Sequence, residues 1–333
     1  MALSPSHRGK IRLLLVGLML TLGGCGAGGG DAQQTVLRIG DQVHGLETLL
    51  KATGEDRPTG YRIEWSNFLG GPAVIAAQTG GSVDVGWMYE TPLVFAQAAG
   101  SPVKVVAAAR PVTPGASSVA LVVRPDSSIR SVRDLRGRKV GLMPGTVTQY
   151  LVVRLLEREG LSLSDIRPVT LGSVSPAMLD NGTIDAAVTV DPYLSQMLLS
   201  GKARVLASGG APLTPDLQYV VASDKALADP ARAKAIGDLI ARIGRALRAR
   251  QADPDKAVPV YTKALNLPAP VIGQYLRRAP ARLAPIDKAV VADQQVLGDT
   301  FLKIGLIRKP NDAARLFDHR YDALVREQEN IPS

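Results

Sequence analysis

The chain has 333 residues, with 39 Lys and Arg against 30 Asp and Glu, a formal charge of +9, and a single cysteine. Its length and 46% hydrophobic composition suit one large or two medium domains with a sizeable core, and they exclude wholesale disorder. One cysteine excludes an internal disulfide, a zinc centre built on several cysteines and a CxxC redox pair, and three histidines (His7, His44, His319) leave little for a metal site.

Residues 1–24 contain no acid, and His7, Arg8, Lys10 and Arg12 precede the apolar run from Leu13 to Leu22. That run is too short for a comfortable membrane span. It ends in Leu22-Gly23-Gly24-Cys25, which resembles the bacterial lipobox. The resemblance implies cleavage before Cys25 and diacylglycerol on its sulfur; the other reading is a short uncleaved anchor with a free thiol. Lipid chains would hold the protein to a membrane without spanning it. Gly26 to Gln34 reads as part of a flexible tether, which we place at 25–35.

Without residues 1–24 the chain carries 36 basic against 30 acidic residues, or +6. The densest cluster, Arg242, Arg245, Arg248 and Arg250, has helical spacing and reads as a solvated helix face. No aromatics interleave with it, so a nucleic-acid partner is not expected.

From Val36 onward, short β-branched runs alternate with helical patterns. Thr35–Ile39, Tyr61–Trp65, Val83–Val85 and Val103–Ala107 read as strands; Leu46–Thr53, Ala73–Thr79 and Pro92–Ala99 read as helices. Alternation of this kind predicts βαβ units with mostly parallel sheets. The pattern then repeats. Arg38-Ile39-Gly40 with Gly45 is echoed by Lys139-Val140-Gly141 with Gly145, and Gly81-Ser82-Val83-Asp84 by Gly182-Thr183-Ile184-Asp185. Pro92 is echoed by Pro192, each opening a helix. These offsets of 100 or 101 residues predict two similar α/β lobes around a central cleft: lobe one at 36–120, lobe two at 121–221. After Val221 the chain turns helical, and residues 222–333 are expected to pack back on lobe one. The apolar segments Ser118–Val123 and Gln218–Ser223 are expected to cross between lobes as a hinge.

Ligands of open α/β sheets bind at strand carboxyl ends against helix N-termini. Four such loops are available: Asp41–Gly45, Trp87–Pro92, Met143–Gln149 and Val190–Tyr193. In the third, Gly145 permits close backbone approach, and free N–H groups at Thr146, Val147 and Thr148 favour an anion, with the threonine hydroxyls as extra donors. A plain helix cap is the alternative for Thr146, as it is for Asp191 before Pro192. Trp87 either walls the cleft or fills the core. No GxSxG, HExxH, Walker A or dinucleotide fingerprint is present, so no catalytic constellation, metal or cofactor is expected.

Several stretches resemble the aliphatic-sulfonate, nitrate and taurine class of ABC-transporter substrate-binding proteins. They are Leu37–Gly40 with Gln42 and Gly45, Gly80–Gly86, Phe95–Gly100 after Pro92, and Val132–Val140. Gly145-Thr146 with Tyr150-Leu151, Gly182–Asp185 with Asp191-Pro192, Gln218, and Leu306-Ile307 with Lys309-Pro310 extend the match over residues 36–312. The chain departs from the sulfonate branch at Met88-Tyr89, where a Thr-Gly pair is usual. It departs again at Thr146–Gln149, where the branch reads Ser-Asn-Val-His, and at Val190, where a tryptophan is common.

The resemblance implies a periplasmic-binding-protein-like fold and a lipid-anchored monomer outside the cytoplasm, closing on a small organic anion for delivery to a permease and its ATPase. Gly145, Thr146, Val147, Thr148 and Gln149 are expected to hold the anionic head. Gln42, His44 and Thr91 would bond the remaining oxygens or a polar tail, and Trp87 or Tyr89 would pack on carbon. Glu90 would pair with an ammonium in a zwitterion such as taurine; Asp191 and Gln218 complete the set. Nitrate, aryl sulfonates and thiamine-precursor pyrimidines remain alternative ligands. A sensor partner is the alternative to a permease. A desulfinase-like enzyme of the same fold would need a cysteine nucleophile, and Cys25 lies ahead of the fold.

Overall fold

The computed structural model describes residues 34–172 and 176–329. The expected leader, Cys25 and the glycine-rich tether up to residue 33 lie outside the described residues. The first lobe is built from β1 (Thr35–Gln42), α1 (Gly45–Thr53), β2 (Tyr61–Phe68), α2 (Gly71–Thr79), β3 (Val85–Tyr89), α3 (Thr91–Ala98) and β4 (Val103–Pro111). The second holds β5 (Val119–Val123), β6 (Lys139–Leu142), α4 (Val147–Arg158), β7 (Arg167–Thr170), α5 (Pro176–Asp180), β8 (Ala186–Val190), α6 (Tyr193–Leu199) and β9 (Arg204–Ser208). The chain then returns through β10 (Gln218–Ser223), α7 (Asp224–Ala228), α8 (Pro230–Ala252), α9 (Pro254–Leu265), α10 (Ala269–Arg278), β11 (Ala281–Ala284), α11 (Lys288–Lys303) and α12 (Asp322–Glu329).

Two mixed sheets result, in the orders β11-β4-β10-β3-β1-β2 and β7-β6-β8-β5-β9. The β1-β2, β1-β3, β6-β7 and β6-β8 pairs are parallel, as βαβ crossovers require. Each sheet also receives one antiparallel strand in its interior: β10 between β3 and β4, and β5 between β8 and β9. This corrects the expected hinge. Ser118–Val123 and Gln218–Ser223 are not the crossing segments, because nearly all of both is locked into a ladder. The crossings are the irregular peptides 112–118 and 209–217 that precede them. A strand with both edges paired cannot bend as a hinge without losing hydrogen bonds, whereas these peptides can.

The internal duplication has a physical cause. Asp84 Oδ2 accepts the Arg38 N–H at 2.9 Å, and Asp185 Oδ2 accepts the Lys139 N–H at 2.8 Å. Each aspartate thereby ties the loop before β3 or β8 to the neighbouring parallel strand, at Arg38 of β1 or Lys139 of β6. Asp84 does more: it is buried and forms an ion pair with the Arg38 guanidinium at 2.6 Å. Gly40 and Gly141 are equivalent too, since a Cβ on either would meet branched side chains at 2.7–2.8 Å.

The C-terminal part packs on the first lobe. Ile236, Leu239, Ile240, Ile243 and Leu247 of α8 form a stripe at helical spacing that joins Leu37, Ile39 and Leu50 in one buried cluster. Each such side chain contributes roughly 1.5–3 kcal/mol by leaving water. The tail also adds β11, a strand too short and alanine-rich to stand out in the sequence, at the edge of the first sheet. The basic face of α8 is not a freely solvated one. Arg242 and Arg245 reach Glu55 at 3.4 and 2.8 Å, and Arg248 donates to Gln328 O at 2.7 Å. No helix among the described residues is long and apolar enough to cross a membrane.

Asp84→Ala should cost about 2–3 kcal/mol in urea denaturation, because it strands a buried N–H and the Arg38 guanidinium together. Asp185→Ala, which loses only the backbone bond, should cost about 1 kcal/mol or less. Equal losses would contradict the extra contribution of Arg38.

Candidate functional site

Five helices begin at the cleft; α3 reaches the wall only through Pro92, with Glu90 and Thr91 buried behind it, and the N-termini of the other four differ in what already neutralises them. At α1, Asp41 accepts N–H bonds from Gln42, Leu46 and Glu47 at 2.7, 3.1 and 2.9 Å. At α6, Asp191 Oδ1 accepts from the Ser195 N–H and hydroxyl at 2.9 and 2.6 Å, and Oδ2 meets Arg278 Nε at 2.9 Å. A carboxylate at a helix N-terminus offsets the dipole and takes up the free donors, so both ends are saturated. The remaining two helices carry no carboxylate. The N-cap of α2 is Gly70, which has no side chain, and that of α4 is Thr146.

These two open ends face each other from opposite lobes. A Cβ on Gly70 would lie 2.9 Å from Met143 Sδ, and one on Gly145 would lie 3.4 Å from Pro72 Cγ. Between them opens a cavity of about 220 Å³. Its lining includes Gly70 and Gly71 from one lobe and Thr146, Val147 and Thr148 from the other, with apolar wall from Met88, Pro92 and Val190. Gln42, Trp87, Tyr89, Asp191 and Gln218 line it as well.

The threonine hydroxyls do not serve as ligand donors in this arrangement. Thr146 and Thr148 both donate to Met143 O, at 2.8 and 3.3 Å, while Thr148 Oγ1 accepts the Met143 N–H at 2.9 Å. Gln149 likewise turns inward: its Oε1 accepts the Gly145 N–H at 2.8 Å, and neither residue lines the cavity. Gly145 has φ +72°, a conformation that its lack of Cβ permits. These bonds hold the loop taut and leave the Thr146 and Val147 N–H groups without an acceptor among the described residues.

Three other candidates lie off the cavity wall. The His44 side chain is half exposed and pairs with Glu47 at 3.1 Å. Glu90 and Thr91 are fully buried behind the wall. Neither Glu90 oxygen has a hydrogen-bond partner among the described residues. Burial, then the charge of Asp216, pushes its carboxyl well above the usual range. Because Glu90 lies behind the wall, its expected contact with a ligand ammonium is not provided in this arrangement. Trp87 is both wall and core, since it packs on the first-lobe cluster while lining the cavity. The Gln42 amide donates to Trp87 O at 2.9 Å, and the Tyr89 hydroxyl bonds Ser118 Oγ at 2.6 Å at the end of the first crossing.

Arg250 and Tyr275, from the C-terminal helices, also line the cavity, and sequence reasoning missed both. For Arg250 a signal was present. It lies three residues beyond Leu247, on the same stripe as the buried residues of α8, so it faces inward rather than with the arginines paired to Glu55 and Gln328. No group of three or more His, Cys, Asp or Glu among the described residues is placed to hold a metal ion.

Two α/β lobes joined by two crossings, with a ligand-sized cavity between them, define the periplasmic-binding-protein-like class. The NMT1/THI5-like family model matches residues 70–257. The chain is 32% identical over 310 residues to a putative aliphatic sulfonates-binding protein of Escherichia coli, covering 92% of this chain and 95% of that one. It resembles the crystal structure of the periplasmic aliphatic sulphonate-binding protein SsuA from Escherichia coli with 30% identity and a TM-score of 0.73, over 85% of this chain and 92% of that one. The alkanesulfonate-binding protein SsuA from Xanthomonas axonopodis, solved with MOPS, matches at 27% identity and a TM-score of 0.74, over 85% and 98%. The chain therefore belongs to the NMT1/THI5-like family and lies close to its aliphatic-sulfonate-binding members.

The second crossing carries a titratable group. Asp216, at φ +51°, accepts from Thr214 Oγ1 at 2.5 Å, and burial raises its pKa to about 6. A raised acid holds its proton more tightly in the folded state, so stability should fall as pH rises from about 4 to 6, then level off. Measured against Asp216→Asn, the wild type should lose about 2–3 kcal/mol between pH 4 and 7. Parallel stability curves for the two proteins would contradict the shift.

Proposed function

We propose that the protein is an extracytoplasmic solute-binding lipoprotein of an ABC importer. A leader of 24 residues is removed, Cys25 carries the lipid, and the glycine-rich segment tethers the two-lobed receptor to the membrane. It captures a small aliphatic sulfonate and presents it to the permease. The relatives' names support the ligand class, and one observation carries the reading: a cavity between lobes where the two helix N-termini lacking a carboxylate converge.

A sulfonate is a permanent anion with three acceptor oxygens in a tripod. Amides of Thr146 and Val147 at α4, and the α2 terminus at Gly70-Gly71, offer donors from opposite lobes. Charge-assisted bonds of this kind contribute about 1.5–3 kcal/mol each. They are complete only when both lobes engage the ligand, so binding shifts the population toward the closed form. Pro92, Met88 and Val190 meet the alkyl chain. Glu90 is off the wall and Arg250 is on it, so simple alkanesulfonates should bind more tightly than taurine, whose ammonium finds no free carboxylate on the lining.

Val147→Pro tests the head-group assignment. Proline is accepted at the first helical position and removes one N–H without unwinding α4. Calorimetric titration with propane-1-sulfonate should show saturable binding to the wild type and about tenfold weaker binding to the variant. Unchanged affinity would sink the assignment. In cells, Cys25→Ser should move the protein from the membrane to the soluble fraction; retention in the membrane would contradict the lipid anchor.

A further inference from the structure

Arg250 lies in the last turn of α8, and its surroundings set it apart from the other arginines of that helix. Arg242 pairs with Asp238 at 2.6 Å and with Glu55 at 3.4 Å, Arg245 grips Glu55 with two bonds of 2.8 Å, and Arg248 is held by Gln328. Arg250 has no carboxylate within 4.0 Å among the described residues. Its neighbours are the phenols of Tyr261 and Tyr275, whose rings meet edge to face at 5.9 Å. Two nearby acids of the cleft are already committed, Asp41 to two amides of the α1 terminus and that of Gln42, and Asp191 to Arg278 and Ser195.

A guanidinium keeps its charge at any physiological pH. Partly buried without a counterion, it costs stability that the fold recovers only when an anion arrives. The same cavity already has an anion-favouring end at α2 and α4, built for a tetrahedral head. Arg250 stands with Leu247, Tyr275 and Ala279 on wall contributed by the C-terminal part, whereas the open termini belong to α2 and α4. A ligand with two anionic groups can serve both features at once, one at the helix ends and one at Arg250.

We propose that the ligand is a two-headed anion, an aliphatic sulfonate bearing a terminal carboxylate, with Arg250 holding the carboxylate. This rests on reading the cavity as a sulfonate site and names the ligand class within it. The planar fork of a guanidinium matches a carboxylate with two parallel bonds, whereas backbone amides at helix ends suit the three oxygens of a sulfonate. Arg250 is then the specificity-determining residue, selecting for the second head and against a terminal ammonium.

Calorimetry on carbon-matched pairs tests this: ethanesulfonate against sulfoacetate, and propane-1-sulfonate against 3-sulfopropionate. The wild type should prefer the carboxylated member of at least one pair by about tenfold or more. Arg250→Met should abolish that preference while leaving the plain sulfonates within about twofold, and Arg250→Lys should keep part of it. Without ligand, Arg250→Met should melt no lower than the wild type, because it removes an uncompensated charge. Equal affinity of the wild type for both members of both pairs would overturn the proposal. So would a loss of plain-sulfonate binding in Arg250→Met as large as the loss for the carboxylated compounds, which would place the single sulfonate on Arg250. Failure of every compound to bind the wild type would sink the sulfonate reading itself, and the proposal with it.

Discussion

The arrangement of carboxylates at helix N-termini is the constraint on which the cavity depends. Two of the four helix ends that open on the cleft are neutralised from within the chain, by Asp41 and Asp191. The two that are not, at Gly70 and Thr146, face each other from different lobes. Had Thr146 been an aspartate, the amides of α4 would be occupied and an anion repelled. A glycine cap at α2 and a threonine that spends its hydroxyl proton on Met143 O leave backbone donors as the unpaired groups. In the proposed function, anion capture follows from which residues are absent as much as from which are present.

In the proposed function the same ends couple binding to closure. The second lobe touches the C-terminal helices at several places, at the cavity wall and beyond it. Tyr150 of α4 packs on Phe301 of α11 at 5.8 Å, Glu157 meets Lys303 at 3.2 Å, and Asp191 meets Arg278 at 2.9 Å. Behind the cavity the crossings are fastened by Tyr89 to Ser118 and by the Glu90 N–H to Leu217 O. The C-terminal part is therefore more than a buttress for the first lobe, since α10 and α11 supply partners for the second and α8 supplies Arg250.

Much of this was legible in the residues. The echo of Gly81–Asp84 in Gly182–Asp185 survives because each aspartate must tie down the same backbone N–H, a demand few residue types meet. Helix starts at Gly45, Pro92 and Thr146 are marked by local capping chemistry, which is encoded within a few residues. The interior antiparallel placement of β5 and β10 is not local, so an apolar strand and a hinge segment look alike in sequence. Side-chain direction was equally hidden. Glu90 and Thr91 follow a strand directed at the cleft yet turn into the core, and His44 turns to solvent. Arg250 was obscured by three arginines of similar spacing, although the apolar stripe of α8 runs straight to it.

Everything proposed for the cavity depends on where the negative charge of the ligand sits. A crystal structure of the complex with 3-sulfopropionate would show this directly. Sulfonate oxygens should lie within about 3.2 Å of the Val147 N–H nitrogen and of the α2 terminus at Gly70-Gly71, with the carboxylate on Arg250. A sulfonate bound away from both helix ends would contradict the central claim.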